Sequence, residues 1–219
     1  MAKNKLAKFA ENETFPNLFQ RSGYEYGDEK FPLRGKWREE YFHNAHPVIL
    51  ELGCGKGDYT IALAERFPDT NYIGIDRKGA RLWRGCKTAV ENKMFNVAFL
   101  RIGIDRIGAY FAPEEVDEIW ITFPDPQPKK ERRRLTSPKF IERYKEILKT
   151  DGVINLKTDS REFYQYTLET IQSEGWKLLV DIENVYLPPC DPVLTEIQTF
   201  YEKIWLKEGR MISYVRFRI

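Results

Sequence analysis

Short apolar runs alternate with longer amphipathic runs from about residue 48 to residue 174. The apolar runs are typical of buried parallel strands, whereas apolar residues three or four positions apart are typical of helices that cover such a sheet. This alternation predicts a doubly wound α/β sheet with right-handed crossovers. The predicted elements are strands over 48–52, 71–76, 97–102, 117–123 and 152–157, and helices over 58–67, 78–92, 105–111, 137–149 and 160–174.

The two ends of the chain do not follow this alternation of strand and helix patterns. Residues 1–34 are polar and their aromatic side chains follow no sustained period, so we expect an N-terminal arm, disordered in part, ahead of a single domain over 35–219. A short helix is predicted from Trp37, and Pro47 ends it before the first strand. At the C-terminal end the predicted elements are a strand over 176–185, a helix over 195–207 and a strand over 211–219, with the two strands forming an antiparallel pair.

The first strand runs directly into a glycine-rich turn. Glu51 is the one carboxylate within Val48–Leu52, and Gly53, Gly55 and Gly57 follow at alternate positions. Glycine permits positive φ and lets a ligand lie against the backbone, while the next helix offers unpaired N–H groups at its start. This geometry favours a nucleotide-type cofactor. The alternative is that the glycines only make a tight strand-to-helix turn.

The residues of this turn separate three kinds of cofactor site. A phosphate-binding P-loop needs a hydroxyl residue after its lysine, but Lys56 is followed by Gly57 and Asp58. The dinucleotide pattern places its third glycine where this chain has Asp58, whose carboxylate would face a pyrophosphate. The remaining pattern, Glu-x-Gly-x-Gly-x-Gly, resembles the first motif of Rossmann-like S-adenosylmethionine methyltransferases. The acid suits a ligand that carries an ammonium and a sulfonium.

A second carboxylate, Asp76, ends the second predicted strand nineteen residues after Gly57. In a βαβ unit, an acid at this place grips a ribose diol. Asp is also a favoured N-cap residue, and the next helix is predicted to begin near Lys78. Both roles are compatible with the pattern, and Asp76 is predicted to bind the ribose.

Composition excludes several classes of protein. With 42% hydrophobic and 14% aromatic residues the chain is not expected to be disordered, nothing in it resembles a signal peptide, and it has no run of eighteen apolar residues. Three widely spaced cysteines and two histidines form no zinc pattern, so no metal is expected. We expect a protein of the reducing cytoplasm with no membrane partner. Cys190 follows a proline, as the nucleophilic cysteine of cytosine-5 methyltransferases does. It lies far downstream of the loop after the fourth predicted strand, however, and this favours a structural thiol.

The net charge of +2 conceals two basic segments. Residues 77–106 contain eight lysines and arginines against two acids, and residues 129–149 contain nine against three, so each segment carries +6. Such segregation predicts a polyanion-binding face, for which solvated helix surfaces are the alternative. In the second segment we expect contacts with the backbone of a nucleic acid from the cations that follow the fourth predicted strand: Lys130, Arg132, Arg133 and Arg134.

The loop after the fourth predicted strand is the most specific motif. Three alternate prolines surround Asp125 in Phe-Pro-Asp-Pro-Gln-Pro-Lys-Lys, and five of the six residues after Pro128 are cationic. This loop resembles the Phe-Pro-Asp-Pro-Trp-x-Lys signature of the tRNA (guanine-N7)-methyltransferases, with Gln127 in place of the usual tryptophan. Four shorter motifs agree in order: Gly35-Lys36-Trp37, Gly103-Ile104-Asp105, Leu156-Lys157-Thr158-Asp159 and Thr199-Phe200-Tyr201-Glu202.

The resemblance implies a class I methyltransferase fold, in which a seven-stranded, mostly parallel sheet has an antiparallel last strand. It implies S-adenosylmethionine as cofactor and tRNA as partner, with the protein acting as a monomer or homodimer. The residues that it assigns to the cofactor are Glu51, Gly53, Gly55, Gly57, Asp76 and Asp105. Asp125 is assigned to the reacting centre. The residues assigned to the tRNA substrate are Lys129, Asp159, Thr199, Phe200, Tyr201 and Glu202.

The Asp125 loop also bears on the reaction. It lacks the aromatic residue with which exocyclic-amine methyltransferases stack their target base, and it lacks a cysteine for carbon-5 chemistry. Guanine N7 carries an exposed lone pair and needs neither a nucleophile nor a general base. We therefore expect direct methyl transfer to guanine N7 of tRNA, usually in the variable loop, with release of S-adenosylhomocysteine. A nicotinamide oxidoreductase and a non-catalytic RNA-binding protein are the alternatives.

Overall fold

A computed structural model describes residues 2–20, 31–187 and 190–219. Its strands are β1 (Leu18–Gln20), β2 (Val48–Leu52), β3 (Asn71–Ile75), β4 (Val97–Arg101), β5 (Val116–Thr122), β6 (Leu148–Thr158), β7 (Lys177–Ile182) and β8 (Ser213–Arg218). They form one sheet in the order β1-β4-β3-β2-β5-β6-β8-β7. Strands β1 to β6 pair in parallel, whereas β8 runs antiparallel to β6 and β7. The predicted doubly wound, mostly parallel sheet with an antiparallel last strand is confirmed.

The helices cover both faces of this sheet. They are α1 (Ala2–Asn12), α2 (Asp58–Arg66), α3 (Gly79–Glu91), α4 (Pro138–Lys145), α5 (Arg161–Ser173), α6 (Pro192–Glu196) and α7 (Phe200–Lys207). Shorter helical turns cover Trp37–Tyr41, Ile104–Ala109 and Glu131–Arg133. One apolar core contains side chains of α4 and α5, and a second core, on the opposite face, contains side chains of α2, α3 and α6. Among the described helices, none is long and apolar enough to cross a membrane.

The sheet has eight strands, one more than predicted, because part of the predicted arm belongs to the domain. Leu18–Gln20 pairs in parallel with β4, and Leu18 is buried. Helix α1 packs on α3, where Asn12 donates a hydrogen bond to the carbonyl of Gly79 at 2.9 Å. A three-residue strand and a polar helix show too little periodicity for prediction from sequence. Residues 21–30 of the predicted arm lie outside the described residues.

Two predicted helices end or break earlier than expected. Helix α4 ends at Lys145 rather than at residue 149, because Leu148 already belongs to β6 and pairs with Val116. The predicted helix over 195–207 is divided, since α6 ends at Glu196 and a separate helix begins at Phe200. The new start is a capping box, in which the side chains of Thr199 and Glu202 each bond to the backbone N–H of the other.

Candidate active site

The predicted site residues follow several strands of the parallel part of the sheet. Strand β2 lies between β3 and β5, and Leu52 at its end is level with Ile75 and Ile121. The carboxyl ends of these strands therefore meet at one edge, which is the usual ligand-binding edge of an open α/β sheet. Glu51 lies near the end of β2, while Asp76 and Asp125 follow β3 and β5.

The three predicted glycines all have positive φ, but they serve different needs. Gly53 and Gly55 have φ values of 77° and 59°, and a Cβ at Gly53 would point into open space. Both glycines line a cavity of about 100 Å³ beside the turn, which we call the glycine-loop cavity. Gly57 is the N-cap of α2, and a Cβ there would lie 2.7 Å from the ring of Phe99. Gly57 is thus required by packing as well as by the turn.

Glu51 lines the glycine-loop cavity with its side chain almost fully buried. Its carboxylate accepts hydrogen bonds from the backbone N–H of Thr60 at 2.8 Å, from the Thr60 hydroxyl, and from Thr122 Oγ1 at 2.5 Å. Burial raises the pKa of Glu51 to about 7, against the opposing effect of these hydrogen bonds. A cation in the cavity would stabilise the ionised form and lower this pKa.

Asp76 joins the glycine loop to the start of α3. Its Oδ2 accepts from the backbone N–H of Gly55 at 3.1 Å, and its Oδ1 accepts from that of Lys78 at 2.7 Å. The alternative role of Asp76 as an N-cap is wrong, because the N-cap of α3 is Lys78, whose backbone N–H bonds to Asp76. The role of Asp76 at a ribose stays a prediction. Asp105 is exposed in the helical turn after β4, where its carbonyl oxygen accepts from Arg143.

The glycine-loop cavity is closed on one side by the start of α7. Phe200 donates its backbone N–H to Asp58 Oδ2 at 3.2 Å, and its ring lies 4.4 Å from Lys56 Nζ. The structure thus brings the predicted segment Thr199–Tyr201 to the glycine turn, although about 140 residues separate them in sequence. The residues around the cavity are Glu51, Gly53, Cys54, Gly55, Lys56, Asp58, Arg81, Thr122, Phe123, Thr199, Phe200 and Tyr201.

A buried ion pair that the sequence analysis missed holds this segment in place. Lys157 and Glu202 are both fully buried, with Lys157 Nζ 2.6 Å from Glu202 Oε1 and 3.2 Å from the carbonyl oxygen of Ile197. Burial lowers the pKa of Lys157, and the charge of Glu202 opposes that shift. The available signal was a lysine directly after the mostly apolar strand residues 153–156, since a buried lysine needs a partner.

This arrangement corrects the prediction for Glu202. The side chain accepts a hydrogen bond from Tyr186 at 2.8 Å, caps α7 and pairs with Lys157, so it is not exposed to a substrate. Thr199 accepts from the backbone N–H of Glu202 at 3.1 Å. Phe200 and Tyr201 are about half exposed and remain accessible.

The Asp125 loop follows β5 in a constrained conformation. Phe123 and Gln127 both have positive φ, and Asp125 Oδ1 accepts from the backbone N–H of Gln127 at 3.1 Å. Asp125 is exposed. The side chain of Arg134 crosses beneath the loop and donates its Nε–H to the carbonyl of Pro126 at 3.0 Å.

The prediction for Arg134 is therefore corrected. Its side chain is only 1% exposed, pairs with Glu162 and Glu131, and lies 4.5 Å above the ring of Tyr166. A phosphate would have to displace these contacts, so Arg134 stabilises the loop. The other predicted cations of this segment are exposed: Lys129, Lys130, Arg132 and Arg133.

Asp159, predicted to contact the substrate, follows β6 at the same edge of the sheet. Its carboxylate is mostly buried and pairs with Arg210 at 2.9 Å. A substrate donor would therefore compete with Arg210 for this carboxylate.

A larger cavity of about 570 Å³ lies elsewhere on the sheet. It is lined by Ile49, Tyr72 and Glu118 in the amino-terminal halves of their strands, with α2 and α6 at its sides. None of the predicted site residues lines it. Cys190 lines it with a half-buried thiol, in keeping with a structural role.

Comparison with known proteins identifies the family. Residues 45–215 match a family model described as "Putative methyltransferase". A tRNA (guanine-N(7)-)-methyltransferase of Christiangramia forsetii is 52% identical over 221 residues, which cover 100% of this chain and 99% of the relative. A relative of the same name from Bacteroides thetaiotaomicron is 44% identical over 219 residues, which cover 100% of this chain and 87% of the relative.

Solved structures agree with the fold. The 16S rRNA methyltransferase KamB superimposes with a TM-score of 0.65 at 14% identity, over 92% of this chain and 95% of the other. A second structure, an antibiotic-related methyltransferase, gives a TM-score of 0.63 at 19% identity, over 88% and 98% of the two chains. At these identities the likeness concerns the fold alone. The full-length relatives establish more, and the chain belongs to the tRNA (guanine-N(7)-)-methyltransferase family of S-adenosylmethionine-dependent enzymes.

Proposed function

We propose that this protein transfers the methyl group of S-adenosylmethionine to N7 of a guanine in tRNA, in the variable loop, and releases S-adenosylhomocysteine. The observation that carries the proposal is the position of the Asp125 loop. This loop follows β5, next to the glycine turn after β2, and continues into four exposed cations. The names of the full-length relatives support the choice of tRNA and of guanine N7.

The glycine-loop cavity and its surroundings fit the cofactor. Glu51, Asp76 and Asp105 stand at or after the ends of β2, β3 and β4, which are adjacent in the sheet. A row of carboxylates suits an elongated ligand with a cationic amino-acid end, a ribose and an adenine, in that order. Gly53 and Gly55 have no side chain, so the cofactor has room to lie against their backbone. The cavity is smaller than the 300–1,000 Å³ typical of ligand sites, so the cofactor would extend along this row.

When bound, the cofactor supplies an electrophilic methyl group on a sulfonium. The lone pair of guanine N7 would accept this methyl group in line, and the electron pair of the carbon–sulfur bond would stay on sulfur. No proton moves in this step. The protein therefore needs to hold the two reactants in line, and positioning of this kind supplies about 7–11 kcal/mol of a barrier.

Asp125 is assigned to hold the guanine. The Watson–Crick edge of guanine offers N1–H and N2–H donors, which a carboxylate accepts. One oxygen of Asp125 already orients the loop through Gln127, and the exposed carboxylate faces solvent where a base could enter. Lys129, Asp159, Phe200 and Tyr201 are proposed to contact the same nucleotide or its neighbours. The predicted phosphate ligands are the exposed cations Lys130, Arg132 and Arg133.

One experiment tests cofactor, substrate and atom together. Purified protein is incubated with S-adenosylmethionine and unmodified tRNA, and 7-methylguanosine is mapped by chemical cleavage at the modified base. We expect one modified guanine, in the variable loop. Methylation at another atom or in another loop would overturn the proposal. Calorimetry with S-adenosylmethionine and with a nicotinamide nucleotide separates the alternatives, because an oxidoreductase would bind only the latter and a plain RNA-binding protein neither.

A further inference from the structure

Four cations at the start of α3 have no partner within the described residues. Arg77, Lys78, Arg81 and Arg84 are exposed, and none of their side chains forms a hydrogen bond or an ion pair with another described residue. The first turn of α3 contains no acid. Cations near a helix N-terminus are repelled by the helix dipole, so this placement costs stability and brings no compensating contact within the fold.

Helix α1 adds two cations to this surface and is held firmly against α3. Glu11 accepts from Trp83 Nε1 at 2.6 Å and from Lys87 Nζ at 2.9 Å. Lys8 Nζ lies 4.4 Å from the centre of the Trp83 ring, and Lys5 is exposed one turn earlier. We name the six residues the α1–α3 basic face: Lys5, Lys8, Arg77, Lys78, Arg81 and Arg84.

The α1–α3 basic face and the Asp125 loop flank the glycine turn on opposite sides. Helix α3 follows β3 and the Asp125 loop follows β5, while β2 lies between them. Arg81 itself lines the glycine-loop cavity. A folded RNA that delivers one base to the Asp125 loop has phosphates on either side of that base, and a second cationic surface beyond the cavity would meet them.

We propose that the α1–α3 basic face is a second anchor for the RNA backbone, separate from the exposed cations that follow Asp125. This inference rests on the proposed function for the identity of the RNA. The face binds phosphates without reading sequence, so it increases affinity and fixes the direction in which the tRNA lies across the sheet edge.

The test removes three charges from this face and three from elsewhere. The variant K5Q/R77Q/R84Q leaves Arg81 intact because that residue lines the glycine-loop cavity. The matched control is K36Q/K177Q/K207Q, which removes the same charge from exposed positions outside the face and outside residues 129–149. The Kd for fluorescein-labelled tRNA is measured by anisotropy at several salt concentrations, and S-adenosylmethionine affinity is measured by calorimetry.

Each lost phosphate contact lowers the salt slope by roughly 0.7–0.9, so we expect the slope of log K against log salt to fall by about two in the face variant and to change little in the control. Cofactor affinity should stay the same in both. Equal slopes in the two variants, or a face variant with the wild-type slope, would overturn the second anchor. A face variant that loses binding to phosphatidylserine vesicles while keeping the tRNA slope would also overturn it.

Failure of the second anchor and failure of the proposed function give different results. If the wild-type protein binds tRNA but forms no 7-methylguanosine, the proposed reaction is wrong, whereas the slopes still decide whether the α1–α3 basic face contacts RNA. Combining the face variant with K130Q/R133Q provides a check, because separate surfaces predict that the losses of slope add.

Discussion

Lys157 Nζ lies 2.6 Å from Glu202 Oε1, and both side chains are fully buried. Lys157 pairs in register with Thr122 at the end of β5, and Glu202 caps the helix that carries Phe200 and Tyr201. This ion pair therefore ties the strand before the Asp125 loop to the segment that closes the glycine-loop cavity. Removal of one partner leaves the other as a buried, unpaired charge.

We expect Lys157→Met to lower the free energy of unfolding by about 3–5 kcal/mol, the cost of breaking a buried pair. The double variant K157M/E202Q should recover part of that loss, because the remaining carboxamide is neutral and still caps α7. Urea unfolding of wild type and the three variants measures both effects. A double variant as unstable as the sum of the single changes would show that the pair itself contributes no coupling.

Glu51 should make the stability of the cofactor-free protein depend on pH. Its pKa is raised from 4.5 to about 7, so between these values the folded state binds more protons than the unfolded state. Stability is therefore expected to fall as pH rises through this window, by about 3 kcal/mol at most. Unfolding of Glu51→Gln from pH 4.5 to 8 should show a flatter profile than wild type. The exposed Glu65→Gln serves as control, and a profile unchanged in Glu51→Gln would contradict the assignment.

Asp76 is expected to support the cofactor directly and through the glycine turn. Asp76→Ala removes the carboxylate that accepts from the backbone N–H groups of Gly55 and Lys78 and, as proposed, from a ribose. It should weaken S-adenosylmethionine binding by about 1–3 kcal/mol. Asp76→Asn keeps one acceptor oxygen and should lose less. Calorimetric titration of both variants measures the difference. Wild-type affinity in Asp76→Ala would remove this residue from the site.

Asp125 is expected to orient the base and not to remove a proton. Asp125→Asn keeps an acceptor oxygen, so its single-turnover methylation rate at saturating tRNA should exceed that of Asp125→Ala. Both variants should bind S-adenosylmethionine as wild type does. A general base would make the two variants equally inactive. Equal and complete loss of the chemical step in both would rule out a purely orienting role.

The cations after Asp125 should divide into two kinds. Replacement of Lys130, Arg132 and Arg133 by alanine should flatten the salt dependence of tRNA binding by about two, at unchanged stability. Arg134→Ala should instead lower the free energy of unfolding by about 1–3 kcal/mol, because the partly buried carbonyl of Pro126 loses its donor. Arg134→Lys should rescue little, since lysine lacks the guanidinium fork. A change of salt slope in Arg134→Ala, with stability intact, would restore Arg134 to the RNA-binding set.

Much of the architecture was determined by the sequence itself. Strands and helices of the parallel part have strong and different periods, and right-handed crossovers then allow few topologies. The same reasoning placed Glu51, Asp76 and Asp125 at one edge, because the carboxyl ends of parallel strands meet there. Periodicity failed for β1 and α1, whose short or polar runs are stabilised by contacts with β4 and α3.

Tertiary structure decided which charged residues face solvent. Arg132, Arg133 and Arg134 are identical and consecutive in sequence, yet only Arg134 is buried, because Pro126, Glu162 and Tyr166 surround it in space. Glu202 lies in a motif that resembles a substrate-binding one, but its partner is Lys157, forty-five residues earlier. The exposure of a charge depends on partners that are distant along the chain, and local sequence does not contain that information.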